Sequence, residues 1–189
     1  MRIGSPAALG IGLIVGFVGG FLTAAQLSKS SVFERQDPTR QDLLKQLVAT
    51  KSGIESGLTV GDLRKSETEL RTAFDLASNG LNDRQRPAVA AALHAVTQTV
   101  AVWDETLTKC HAGSDGYVGL GEEVEAASSS WNPNCNNKKL KVIYADMGVL
   151  GELTKWEPPL NLAPKRGTLL QPLFSVSLDR IQAAIDTLH

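Results

Sequence analysis

Pro87–Leu107 reads PAVAAALHAVTQTVAVWDETL, and its spacing decides the fold class. Val89, Leu93, Val96, Val100, Trp103 and Leu107 follow one another at intervals of four, three, four, three and four. That alternation puts all six on one side of a helix, as in the seam of an antiparallel or coiled-coil-like bundle. Pro87 suits the first turn, where its missing N–H has no intrahelical partner to lose. Lys109 stands in the last turn, where a cation meets the negative end of the helix dipole.

The pattern continues outward in both directions. Upstream, Leu63, Leu70, Ala73, Phe74 and Ala77 form an apolar helix face. Thr59 with Asp62 three residues later resembles a capping arrangement at its start. Asn79-Gly80 closes it, with glycine available for the left-handed conformation. Further upstream, Pro38 and Thr39 lead into a helix carrying Leu43, Leu44, Leu47, Val48 and Ile54, which Gly57 stops. Downstream, His111 to Gly121 is glycine-rich and reads as a loop, and a short helix is placed over Glu122 to Ser130. The run from Trp131 to Asn137 is turn chemistry. Leu140, Ile143, Met147, Leu150 and Leu153 make another helical stripe, interrupted by Gly148 and Gly151, although Val142-Ile143-Tyr144 also permits a short strand. Pro158, Pro159 and Pro164 mark an extended connection. The final helix carries Leu170, Phe174, Leu178, Ile181, Ile185 and Leu188, with Pro172 limiting its regular part to the residues after it. Helices of this kind bury their stripes only against each other, so the expected fold is all-α: four main amphipathic helices and one shorter one in an antiparallel bundle over residues 39–189.

Ahead of the bundle lies a different kind of segment. Ala7 to Ala25 has no charged residue and only Thr23 is polar. At 1.5 Å per residue it spans about 30 Å, the hydrocarbon thickness of a bilayer. Small residues recur at every fourth position: Ala8, Gly12, Gly16, Gly20 and Ala24. On a helix they form one stripe, and small-xxx-small stripes let a second membrane helix approach closely. A cleaved signal peptide is the competing reading, given Arg2 at the start and Ala24-Ala25 before Gln26. A buried core helix is disfavoured by the glycines, each costing about 1 kcal/mol relative to alanine. The preferred division is a tail (1–6), a transmembrane signal anchor (7–25), a linker (26–38) and the bundle (39–189). The bundle is placed on the exported, periplasmic or extracytoplasmic side, the usual outcome for a first segment. Lys29, Arg35 and Arg40 outnumber Arg2 and argue against that orientation.

Composition narrows the function classes. The chain has 189 residues and a net charge of -1, so no global basic field attracts nucleic acid or anionic lipid. Aromatic content of 5% favours helices over a β-sandwich. Removing about 30 residues for the apolar segment and its flank leaves one domain of ordinary size.

Chemistry-bearing residues are sparse. Cys110 and Cys135, the two cysteines, are expected to form a disulfide in an exported domain, contributing about 3–4 kcal/mol for a loop of roughly 25 residues. Cys110, His111 and Cys135 fall short of the four ligands of a closed zinc site. His94 reads as a helix-flank residue, Glu122, Glu123 and Glu125 as a solvated first turn, and Lys138, Lys139 and Lys141 as a modest basic cluster. Trp103 belongs to the seam. Trp131 and Trp156, with Pro158 and Pro159, are the candidate partner contacts. No cofactor, metal, nucleic-acid or small-molecule partner is identifiable. The expected partners are the membrane and other membrane-protein helices, from the same or a different chain. The sequence therefore points to a non-enzymatic, membrane-anchored structural or assembly subunit of a larger complex. The alternative is a periplasmic or secreted helical binding module released by signal-peptide cleavage.

Overall fold

The first three long helices begin where a side chain replaces a missing backbone partner. The computed structural model describes residues 37–108, 111–112, 117–118, 137–156 and 165–189. The apolar segment with its small-residue face, the linker up to residue 36, Cys110, Cys135, the acidic stretch Glu122–Ser130, Trp131, Pro158 and Pro159 lie outside these residues. Helix α1 runs Pro38–Ser56; Asp37 caps it by accepting from the Thr39 N–H at 3.0 Å, with Pro38 at the first position. Helix α2 runs Val60–Ala77 behind the expected capping box: Thr59 Oγ1 accepts from Asp62 N–H at 3.2 Å, and Asp62 Oδ2 accepts from Thr59 N–H at 3.3 Å. Helix α3 runs Gln85–Thr108; Asn82 Oδ1 accepts from the N–H groups of Arg84 and Gln85. Helices α4 (Asn137–Asp146) and α5 (Leu150–Thr154) follow, and α6 runs Arg166–Leu188.

Gly57 ends α1 in the left-handed region, at φ 81°, while Leu58 N–H reaches back to the Gly53 carbonyl. A Cβ at Gly57 meets no atom within 4 Å, so only backbone strain opposes a side chain there. Gly57→Ala is expected to cost about 1 kcal/mol of stability in urea unfolding.

Cross-helix hydrogen bonds establish the direction of each helix. Arg64 of α2 pairs with Asp104 of α3, and Thr97 of α3 donates to Glu67 of α2 at 2.9 Å. Lys51 of α1 donates to Gln182 of α6 at 2.8 Å, and Thr99 of α3 meets Ser177 of α6 at 3.0 Å. At the far end of α6, Leu188 O accepts from Arg40 at 2.7 Å and Thr187 O accepts from Gln85 at 3.0 Å. The last carbonyls of a helix have no intrahelical donor; here α1 and the start of α3 supply donors. Each neighbour is thus antiparallel, and α1, α2, α3 and α6 form an up-down-up-down bundle.

Two apolar clusters fill the interior. The first gathers Leu43, Leu47, Leu63, Leu70, Val89, Val96 and Ile181, from α1, α2, α3 and α6. The second gathers Ala95, Val102, Leu140, Ile143, Tyr144, Met147, Leu153, Leu169 and Leu173, from α3, α4, α5 and α6. Trp103 and Phe174 pack against both, edge to face with centroids 5.5 Å apart. Such a ring pair contributes about 1 kcal/mol beyond its buried area.

Among the described residues the architecture is helical as expected, with several local corrections. The predicted loop from His111 contains a two-residue antiparallel pairing, His111 with Val118 and Ala112 with Tyr117. The predicted stripe from Leu140 to Leu153 is two helices: Gly148 adopts φ 76°, which breaks the helix, and Val149 N–H turns back to the Tyr144 carbonyl at 2.8 Å. The permitted strand at Val142–Tyr144 is helical. Gly80 is not left-handed; it lies in a 3-10 turn, Ser78–Gly80, and a Cβ there would approach Asp37 Oδ2 to 3.0 Å. Helix α6 extends through Pro172 rather than starting after it. Leu169, Leu170 and Leu173 hold that first part in the second cluster, and the carbonyl deprived of its donor belongs to exposed Thr168. Val48, assigned to the α1 stripe, is exposed; Thr50 takes the inward position and donates to Gln46 O. Leu150, assigned to a buried stripe, is also exposed.

Candidate functional site

Polar side chains gather around the buried Glu105 and Tyr144 where α3, α4 and α6 meet. Glu105, on the last turn of α3, is only 2% exposed. Its Oε2 accepts from Lys139 Nζ of α4 at 3.1 Å. Arg166, the first residue of α6, donates to the Thr106 carbonyl at 3.4 Å, and burial lowers its tendency to hold a proton. Tyr144 of α4 donates its hydroxyl to the Leu169 carbonyl of α6. Burial pushes the Tyr144 phenol well above its ordinary range, so it remains a donor. At the other end of α4, Asp146 Oδ2 contacts His94 Nε2 of α3 at 2.5 Å. These groups hold α4 at a fixed register against α3 and α6. A carboxylate withdrawn from water needs such a cation beside it.

The sequence-predicted residues divide accordingly. In the basic cluster Lys138 and Lys139 are exposed, Lys139 donating to Glu105, and Lys141 is half-buried. His94 lies on the flank of α3 as expected, and the structure adds its tie to Asp146. Trp156 is half-buried against the second cluster. Glu105 was not distinguishable in the sequence, because it stands beside Asp104, which faces solvent and Arg64. Its available signal was a second α3 period, Ala95, Thr99, Val102 and Thr106, which leaves Glu105 on the edge of a buried face.

A shallow groove of about 360 Å³ lies between α1 and α2, lined by Asp42, Lys45, Gln46, Glu69 and Thr72, with Leu76 at its rim. Leu76 is 69% exposed. The groove is on the outside of the bundle and not in its core. Among the described residues no three His, Cys, Asp or Glu side chains gather to hold a metal ion, and no helix is long and apolar enough to cross a membrane.

The capping box gives the clearest electrostatic test. Hydrogen bonds from the Thr59 side chain and then from its backbone hold the Asp62 carboxyl below its ordinary value. A carboxyl whose value is depressed on folding contributes stability above its unfolded value, and that contribution disappears as pH falls through the folded value. Thr59→Ala is expected to cost about 1 kcal/mol at neutral pH and to flatten the acid limb of thermal stability. An unchanged acid limb by calorimetry contradicts this assignment.

The chain matches no protein-family model, no curated protein and no solved structure.

Proposed function

We propose that this protein is a non-enzymatic, membrane-anchored structural or assembly subunit, with its helical bundle on the exported side. The observation that carries this reading is the charge-free run Ala7–Ala25, with Ala8, Gly12, Gly16, Gly20 and Ala24 in four-residue register, joined in one chain to a helical bundle. A helix of that length suits a bilayer, and its small-residue stripe suits a second helix. Trp131, Pro158 and Pro159, with the half-buried Trp156, remain the proposed partner contacts, and Cys110 with Cys135 the proposed bridge.

Detergent extraction followed by native mass measurement tests the reading. Retained Met1 or Arg2 with co-purifying membrane subunits is the expected outcome. A dominant membrane-free form beginning at Gln26 favours the released binding module. Gly16→Leu tests the stripe: a bulky side chain keeps the segment lipid-compatible but separates two helix backbones. Association is expected to weaken by about 1 kcal/mol, partially if the bundle also holds the partner, with membrane insertion unchanged. Leu9→Ala, off the stripe, is the control. Equal association in both variants removes the support.

A further inference from the structure

We propose that α4 and α5 form a strap that detaches from α3 and α6 as one unit while the four-helix bundle stays folded. The division of the interior supports this. α1 and α2 belong to the first apolar cluster, α4 and α5 to the second, and α3 and α6 to both. Lifting residues 137–156 removes Leu140, Ile143, Tyr144, Met147 and Leu153 from the second cluster. It leaves every buried residue of the first in place. An opening that breaks one cluster costs less than unfolding that breaks both, and such cooperative sub-global units are a general property of folded chains.

The fastenings of the strap are polar and sit near both ends of α4. Lys139 meets Glu105 at 3.1 Å, and Asp146 meets His94 at 2.5 Å. Between them Tyr144 donates to the Leu169 carbonyl. Each bond has its partner on α3 or α6, so separation of α4 breaks all three together. Gly148, at φ 76°, joins α4 to α5, and Leu153 of α5 shares the cluster with Met147, so the two short helices move as one body. The surface uncovered is apolar: Ala95 and Val102 on α3, Leu169, Leu170 and Leu173 on α6. In the closed state the strap masks that face.

Hydrogen exchange read by mass spectrometry on the full chain tests the proposal. Amides of residues 140–154 are expected to exchange at least about tenfold faster than those of residues 89–100. Glu105→Gln removes the charge of the fastening and is expected to raise exchange across α4 and α5 together by about tenfold, leaving α1 and α2 unchanged. Tyr144→Phe, which keeps the ring and removes the donor, must give the same pattern and serves if Glu105→Gln does not fold. Exchange that rises alike in all helices, or that stays unchanged in residues 140–154, overturns the strap.

Discussion

Replacing Ile181 with alanine is expected to lower the unfolding free energy by about 3–4 kcal/mol. Ile181 is fully buried, on α6, in the cluster that all four long helices share. Truncation removes three methyl or methylene groups and leaves a cavity that rigid helices close only in part. Urea unfolding followed by circular dichroism should show a lower midpoint with an unchanged slope. Leu76→Ala is the control: Leu76 is mostly exposed, and its loss is expected to change stability by no more than about 0.5 kcal/mol. A loss below about 1 kcal/mol for Ile181→Ala would show that the first cluster does not hold the bundle together.

Ala92→Leu is expected to cost about 2–3 kcal/mol for the opposite reason. Ala92 is fully buried on α3, in the first cluster, and extra carbon there must move neighbours off their rotamers. Alanines and a threonine recur along the inward side of α3, at Ala92, Ala95 and Thr99, and Ser177 and Ala184 along α6. These small side chains set how closely the two helices approach. Ala145→Leu, at an exposed position of α4, separates the effect of volume at a contact from the effect of leucine on a helix. Equal thermal midpoints for the two variants would refute close packing at Ala92.

The same contrast explains what the sequence revealed. Val89, Leu93, Val96 and Val100 are large and apolar, so their four-three rhythm identified α3 and one of its faces directly. The second face, Ala92, Ala95, Thr99 and Val102, is equally buried but largely built from residues whose hydropathy is indifferent. Its burial follows from helix approach, which periodicity does not encode. Val48 fits the spacing of the α1 stripe, yet Thr50 occupies the inward position because its hydroxyl is satisfied by the Gln46 carbonyl. The capping box and the Gly57 stop were legible because each is a local rule. The Glu105–Lys139 contact joins residues 34 apart in sequence, and nothing local distinguishes that carboxylate from its neighbour Asp104. Pro172 misled because the rule for proline weighs one lost hydrogen bond and not the three leucines that anchor the turn around it.

The stitching of α6 to α1 and α3 also sets an order of events during synthesis. Gln85 finds the Thr187 carbonyl 102 residues later, and Arg40 finds that of Leu188 148 residues later. As the chain emerges, α1, α2 and α3 are complete while the wall that faces them has not been made. Val89, Val96 and Val100 then lie uncovered until Ile181 and Ile185 arrive. Contacts this distant in sequence are slow to close, and an open three-helix sheet of valines and leucines invites wrong partners meanwhile. An intermediate holding only α1, α2 and α3 therefore exposes the apolar residues that α6 covers in the finished bundle.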